Sequence, residues 1–178
     1  MDDATLVKEC VKENAKAQHM LFERFSRKML GVCLRYSKSL EDAEDVLQDG
    51  FVKVFSNLKD FTNEGSLEGW IRRIMVNTAL DAIRKNTKFL KDISIDVVDF
   101  QIGNNDYTIE KMNAEDLLSL INSMPEGYKV VFNMYAIEGY KHNDIATTLG
   151  ISESTSKSQY LRAKAYLRAK LELISHER

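Results

Sequence analysis

The chain has 178 residues, 44% hydrophobic and 29% charged, a balance typical of a soluble globular protein with room for one large domain or two small ones. No run approaches the roughly 20 apolar residues of a membrane span, and the charged N-terminus is unlike a secretory signal peptide. A formal net charge of −2 argues against a histone-like nucleic-acid binder, but it averages over unequal blocks. Residues 61–91 hold 3 acids and 6 bases, residues 92–126 hold 8 acids and 1 base, and residues 127–178 hold 5 acids and 8 bases. A phosphate-binding surface needs local positive charge, not a positive total.

One proline and eight glycines favour long helices. The first is expected over residues 21–36, where Leu21, Phe25, Met29, Val32 or Cys33, and Tyr36 recur at helical spacing. Glu23, Arg24, Arg27 and Lys28 face away. Residues 37–40 break the pattern, and Ser39 before Glu41 and Asp42 signals a new start, with carboxylates at the positive end of the helix dipole. The second helix, residues 41–58, buries Val46 or Leu47, Phe51, Val54 or Phe55, and Leu58. Its other side presents Asp45, Gln48 and Asp49, three and four positions apart, as one exposed polar patch.

After a loop over residues 59–65, Ser66 is the expected N-cap of a third helix reaching about residue 86. Its apolar stripe is Ile71, Ile74 or Met75, Thr78 and Ala82. Arg73, Asn77 and Arg84 fall roughly on one face. Asparagine is a middling helix former that favours caps, so its place between arginines fits base recognition better than solubility.

Residues 92–113 read as an acidic linker, longer than a usual connection within a compact domain. The expected organisation is a domain over residues 1–91, this linker, and a second domain over residues 114–178. In the latter a helix resumes over residues 114–124 through Leu117, Leu118 and Ile121. Pro125 opens another, carrying Val130, Val131, Met134, Tyr135 and Ile137. Residues 137–164 then have the punctuation of a helix-turn-helix. A short helix over residues 141–149 keeps Ile145, Ala146 and Leu149 on one side; Gly150 can leave it with positive φ; Ile151 plugs the angle; Ser152 caps the next helix. From Glu153 there are no breakers through Leu167, Leu171 and Ile174, and exposed Ser, Lys, Gln and Arg suit phosphates and base edges. The fold class is therefore all-α: two small helical domains joined by an acidic linker, the second containing a helix-turn-helix.

Enzyme signatures are missing from the sequence. It has no Gly-rich phosphate loop, no Gly-x-Ser-x-Gly and no His-Glu-x-x-His. His19 and His142 lie in helices without clustered partners, and His176 is in the tail. Cys10 and Cys33 lack metal-ligand spacing and read as reduced thiols of a cytoplasmic protein. No catalytic residue, metal or cofactor is expected.

Three motifs in order carry a resemblance. The run Asp42-Ala43-Glu44-Asp45-Val46-Leu47-Gln48-Asp49, continuing to Phe51, Val54 and Phe55, resembles conserved region 2 of bacterial RNA polymerase sigma factors. Gly69-Trp70-Ile71-Arg72-Arg73-Ile74, then Asn77-Thr78-Ala79-Leu80-Asp81 and Arg84, resembles the promoter-melting part of that region. Met124-Pro125 to Tyr128, Asp144-Ile145-Ala146, Leu149-Gly150-Ile151-Ser152, and Thr155 to Arg162-Ala163 resemble region 4. The two-domain layout is similar to the extracytoplasmic-function type.

The resemblance implies roles. Asp45, Gln48 and Asp49 would bind a coiled coil of the largest subunit of core RNA polymerase. Phe61, Asn63, Ser66, Arg73, Asn77 and Arg84 would meet the −10 promoter element and a base flipped from it; the single tryptophan, Trp70, matches a family position taken as mainly core. Thr155, Lys157, Ser158, Gln159, Leu161 and Arg162 would meet the −35 element in the major groove. The factor would be monomeric when free, uninserted in membranes, and held by an anti-sigma factor. Two positions depart from the family pattern. Ser156 replaces an apolar residue, which weakens the packing expected of the recognition helix. Gln159 stands where Arg is frequent, and if it reaches a base it suits adenine. The competing reading is a helix-turn-helix repressor or activator with a sensing or dimerising N-terminal half, which would bind its operator alone as a dimer.

Overall fold

The computed structural model describes residues 1–85 and 114–176; the linker expected over residues 92–113 lies outside the described residues. All regular structure in them is helical, in two compact units that divide after Lys85. No described helix is long and apolar enough to cross a membrane.

The first unit opens with a helix that the apolar pattern did not reveal, α1 (Asp3–Val11). Asp2 caps it by accepting the Thr5 amide at 2.8 Å, and Leu6, Val7 and Cys10 are buried. Its stripe is only three residues long, too short for a clear period. Helix α2 (Ala15–Leu34) starts earlier than expected because Asn14 caps it, accepting the amides of Lys16 and Ala17. Ser39 caps α3 (Leu40–Asn57) through the Asp42 amide at 3.1 Å. A 3-10 turn, Leu58–Asp60, comes next. Ser66 caps α4 (Leu67–Arg84) through the Gly69 amide at 3.0 Å.

Helices α2, α3 and α4 pack on one another around Leu21, Met29, Leu58, Leu67, Ile71, Met75 and Leu80, all below 2% exposed. Gly50 lets α3 approach α4 closely: a Cβ there would collide with the Met75 thioether. The buried sector of α4 is wider than the expected stripe because two helices cover it. Ile83 and Val76 are buried, whereas Ala82 is exposed. Thr78 is buried with its hydroxyl donating to the Ile74 carbonyl at 2.8 Å. Both cysteines are buried free thiols, and burial pushes the Cys33 thiol up to about 12.

The second unit contains α5 (Ala114–Asn122), α6 (Glu126–Phe132), α7 (His142–Leu149) and α8 (Glu153–His176). A π-helical turn, Asn133–Ile137, extends α6. Ile121, Met124 and Ala163 form a core cluster with Tyr128, Phe132, Ile137, Tyr166 and Leu167 packed against it. The Tyr166 hydroxyl donates to the Ser123 carbonyl at 2.8 Å, tying α8 to the end of α5. This interior is less purely apolar than that of the first unit, with Lys129, Asn133, Ser156 and Gln159 all at 4% exposure or less.

Candidate nucleic-acid and protein interfaces

On α3 the patch forms as the spacing predicts: Asp45, Gln48 and Asp49 are all exposed. Beside it lies something the polar pattern did not announce. Phe22 of α2 and Leu47, Phe51, Val52 and Phe55 of α3 line an open groove of about 450 Å³, with Glu44 and Gln48 completing its wall. Phe22 and Phe51 meet with ring centroids 4.8 Å apart, and Val52 is 61% exposed. Adjacent apolar pairs, Leu21-Phe22 and Phe51-Val52, were the signal: on a helix of 3.6 residues per turn, one of each pair must leave the core. An exposed acidic face bordering an apolar groove can hold a helix with both a basic and an apolar side.

On the first unit's other candidate surface, the loop from residue 61 to 66 precedes α4. Phe61 is half-buried, its ring 5.5 Å from that of Trp70, which is half-buried too. Trp70 thus serves packing and also reaches the surface. Asn63 has φ of 59°, a left-handed conformation that asparagine tolerates. Ser66 is exposed, but its hydroxyl is engaged as the cap of α4. Arg73 and Asn77 are exposed one turn apart. Arg84 donates to Asp81 at 3.1 Å, and Lys53 donates to the other oxygen of Asp81 at 3.2 Å. Arg84 is therefore tethered, while Arg73 and Asn77 stand out from the helix.

The helix-turn-helix forms at the expected residues. Gly150 adopts φ of 68°, and the Ala146 carbonyl accepts the Ile151 amide at 3.1 Å, so the chain turns sharply out of α7. Ser152 accepts the Thr155 amide at 3.0 Å and caps α8. Along α8, Lys157 is exposed and paired with Glu153, Leu161 is 47% exposed, and Thr155, Ser158 and Arg162 are half-buried. The Thr155 hydroxyl shares a hydrogen bond with that of Ser152 at 2.8 Å.

Gln159 does not join them. It is 1% exposed, and with Ser156 and Ala163, both 0%, it forms the inward stripe of α8. Spacings of three and four place these side chains on one helix face, so Gln159 cannot reach a base edge. Ser156 stands inside although it is polar where the family pattern is apolar. Its hydroxyl shares a 2.9 Å hydrogen bond with Nδ1 of His142. Nor is His142 isolated. Its ring stacks on Tyr135 at 4.2 Å and lies 5.9 Å from Tyr160. Burial, and then the Lys157 ammonium, hold the imidazole below the usual histidine range, against a weaker opposing pull from Glu153. Among the described residues no group of three His, Cys, Asp or Glu side chains could hold a metal ion.

Two family models match this chain: Sigma-70 region 2 over residues 21–89, and Sigma-70, region 4 over residues 114–167. The chain belongs to the sigma-70 family. It is 26% identical to the ECF RNA polymerase sigma-E factor of Haemophilus influenzae, over 97% of this chain and 96% of that one. It is 23% identical to the RNA polymerase sigma-H factor of Pseudomonas aeruginosa, over 91% and 90%. Two solved structures share the fold. One is CnrH in complex with the cytosolic domain of CnrY (TM-score 0.52, 22% identity, covering 96% of this chain and 97% of that one). The other is the sigma factor RpoE in complex with the anti-sigma factor NepR from Bartonella quintana (TM-score 0.55, 19% identity, 86% and 96%). The protein is thus a sigma factor of the extracytoplasmic-function type, a regulatory factor of promoter-specific transcription initiation by RNA polymerase. The conventional repressor reading is thereby set aside.

Proposed function

We propose that the two units divide promoter recognition, with the N-terminal one holding core polymerase and the −10 element and the C-terminal one holding the −35 element. The observation that carries this reading is the exposure of three separate faces: Asp45–Gln48–Asp49, Arg73–Asn77 and Lys157–Leu161. The α3 face and its neighbouring groove dock the polymerase coiled coil, the acids setting orientation and the apolar floor supplying buried area. Phe61, Asn63, Ser66, Arg73 and Asn77 receive the −10 strand. An extruded base loses stacking worth a few kcal/mol, and a pocket that reads its Watson–Crick edge offsets that loss. Arg84, paired with Asp81, joins these residues at the end of α4.

Helix α8 enters the −35 major groove with Lys157, Ser158, Leu161 and Arg162, and Thr155 lies near a phosphate. The factor has no chemical step of its own and works in the cytoplasm as a monomer until it meets polymerase. Both solved relatives are described bound to a second protein, one of them a named anti-sigma factor, and we extend an anti-sigma partner to this chain. Gel shifts with and without core polymerase test the reading. Promoter-specific binding should require core polymerase; tight, specific binding by the free protein as a dimer would overturn it.

A further inference from the structure

We infer that the His142–Ser156 contact sets the rotational phase of α8 and makes −35 recognition sensitive to mild acid. The inference rests on α8 being the −35 reader. Ser156 is fully buried between Thr155 and Lys157, two residues on the reading surface. Successive residues on a helix are about 100° apart, so any roll that releases Ser156 from the interior turns Lys157 and Leu161 as well. A serine at an interior position must be hydrogen-bonded to be tolerated there, and the side-chain partner it has is Nδ1 of His142 at 2.9 Å.

His142 is held in its turn. It is the first residue of α7, stacked on Tyr135 with the rings 13° from parallel. Tyr135 also meets Tyr160 of α8 at 4.6 Å, so the π-turn, α7 and α8 converge on the one imidazole. The groups facing it are Tyr135 from the π-turn, and Ser156, Tyr160, Glu153 and Lys157 from α8; Lys141 and Asp144 flank it on its own segment.

A neutral imidazole can accept the Ser156 proton on Nδ1, which satisfies the buried hydroxyl. A protonated one carries N–H on both nitrogens. Ser156 must then accept instead of donate, and in a position closed to water its own proton turns to a backbone carbonyl of the preceding helical turn, which re-aims the hydroxyl and changes the geometry of the contact. The Lys157 ammonium adds repulsion. The histidine is lowered in the folded protein, so the contact is intact above the ordinary histidine value. In the folded protein it persists through that value and is lost as pH falls through the lower folded one.

The test uses full-length protein with core polymerase. A −35 sequence is first selected by the wild-type holoenzyme from randomised DNA. Selectivity is then read as affinity for that DNA relative to a scrambled −35, between about pH 5.5 and 8. Wild type should lose selectivity several-fold toward the acid end. His142→Phe keeps the stacked ring without the hydrogen bond or the titration. It should lower selectivity about 3- to 10-fold at pH 7.5, the range of one net hydrogen bond, and give a flat pH profile. Ser156→Ala should do the same, and the double variant should be no worse than the poorer single one. Superimposable pH profiles for wild type and His142→Phe, or additive losses in the double variant, overturn the inference. Melting curves at each pH identify a variant that fails to fold; Ser156→Ala then supplies the profile in its place. Lys157→Ala and Leu161→Ala separate the two ideas. If neither lowers selectivity, α8 is not the −35 reader and the inference falls with that reading. If both lower it while His142→Phe tracks wild type, the inference alone falls.

Discussion

The two units solve the same problem with different interiors. In Met1–Lys85 the buried polar side chains are Ser37 and Thr78, and the polar residues offered to polymerase or DNA stand outside an apolar core. In the second unit Lys129, Asn133, Ser156 and Gln159 are all inside, two of them from the recognition helix itself. Short helices explain the contrast. The first unit stacks three helices of 18 to 20 residues, which bury enough aliphatic surface to spare their polar faces for partners. The second packs α7, of 8 residues, against α8, so orientation also depends on directional polar contacts. Hydrophobic burial is non-directional, whereas a buried hydrogen bond fixes an angle.

The contrast can be broken most severely at Ile71. Ile71→Ala removes a side chain of 0% exposure and should destabilise the first unit by about 2–5 kcal/mol; urea unfolding that shows a loss below about 1 kcal/mol would mean its core is not the tightly packed aliphatic one described. Gln159→Ala tests the second interior. It should lower stability by about 1–3 kcal/mol while leaving the −35 preference unchanged, and an altered base preference in a randomised −35 selection would return Gln159 to the reading surface. On the outer faces the order of effects reverses. Arg73→Ala and Asn77→Ala should leave melting and polymerase binding unaffected but reduce open-complex formation about tenfold, the scale of one base-edge contact. Equal loss of polymerase binding would signal unfolding.

A smaller effect separates capping from recognition at Ser66. Ser66→Ala should cost about 1 kcal/mol of stability, and Ser66→Asp should restore it, because either oxygen can accept the Gly69 amide. If both variants lower open-complex formation equally, the hydroxyl has a second role at the −10 element. Smallest of all is Leu161→Ala, 47% exposed, with a stability change within about 0.5 kcal/mol and a loss confined to −35 selectivity.

Helical spacing, cap residues and a turn glycine were enough to identify the long helices of the first unit, the caps Ser39, Ser66 and Ser152, the Gly150 turn and the exposed α3 patch. These come from local chemistry: helical spacing sorts apolar from polar, caps satisfy amides within three residues, and a positive φ selects glycine. Helix α1 escaped because a one-and-a-half-turn stripe has no measurable period. The Phe22–Val52 groove escaped because neighbouring apolar residues do not say which of them is left outside.

The assignments that needed the folded chain are those where a polar side chain turns inward. Gln159 has the chemistry of a base reader and Ser156 that of a surface residue, yet both occupy the interior stripe of α8 beside Ala163. Which way a long polar helix rolls depends on what it packs against, here Ile121, Met124 and the ring cluster around His142. That information is distributed over three other helical segments. No window along the recognition helix contains it.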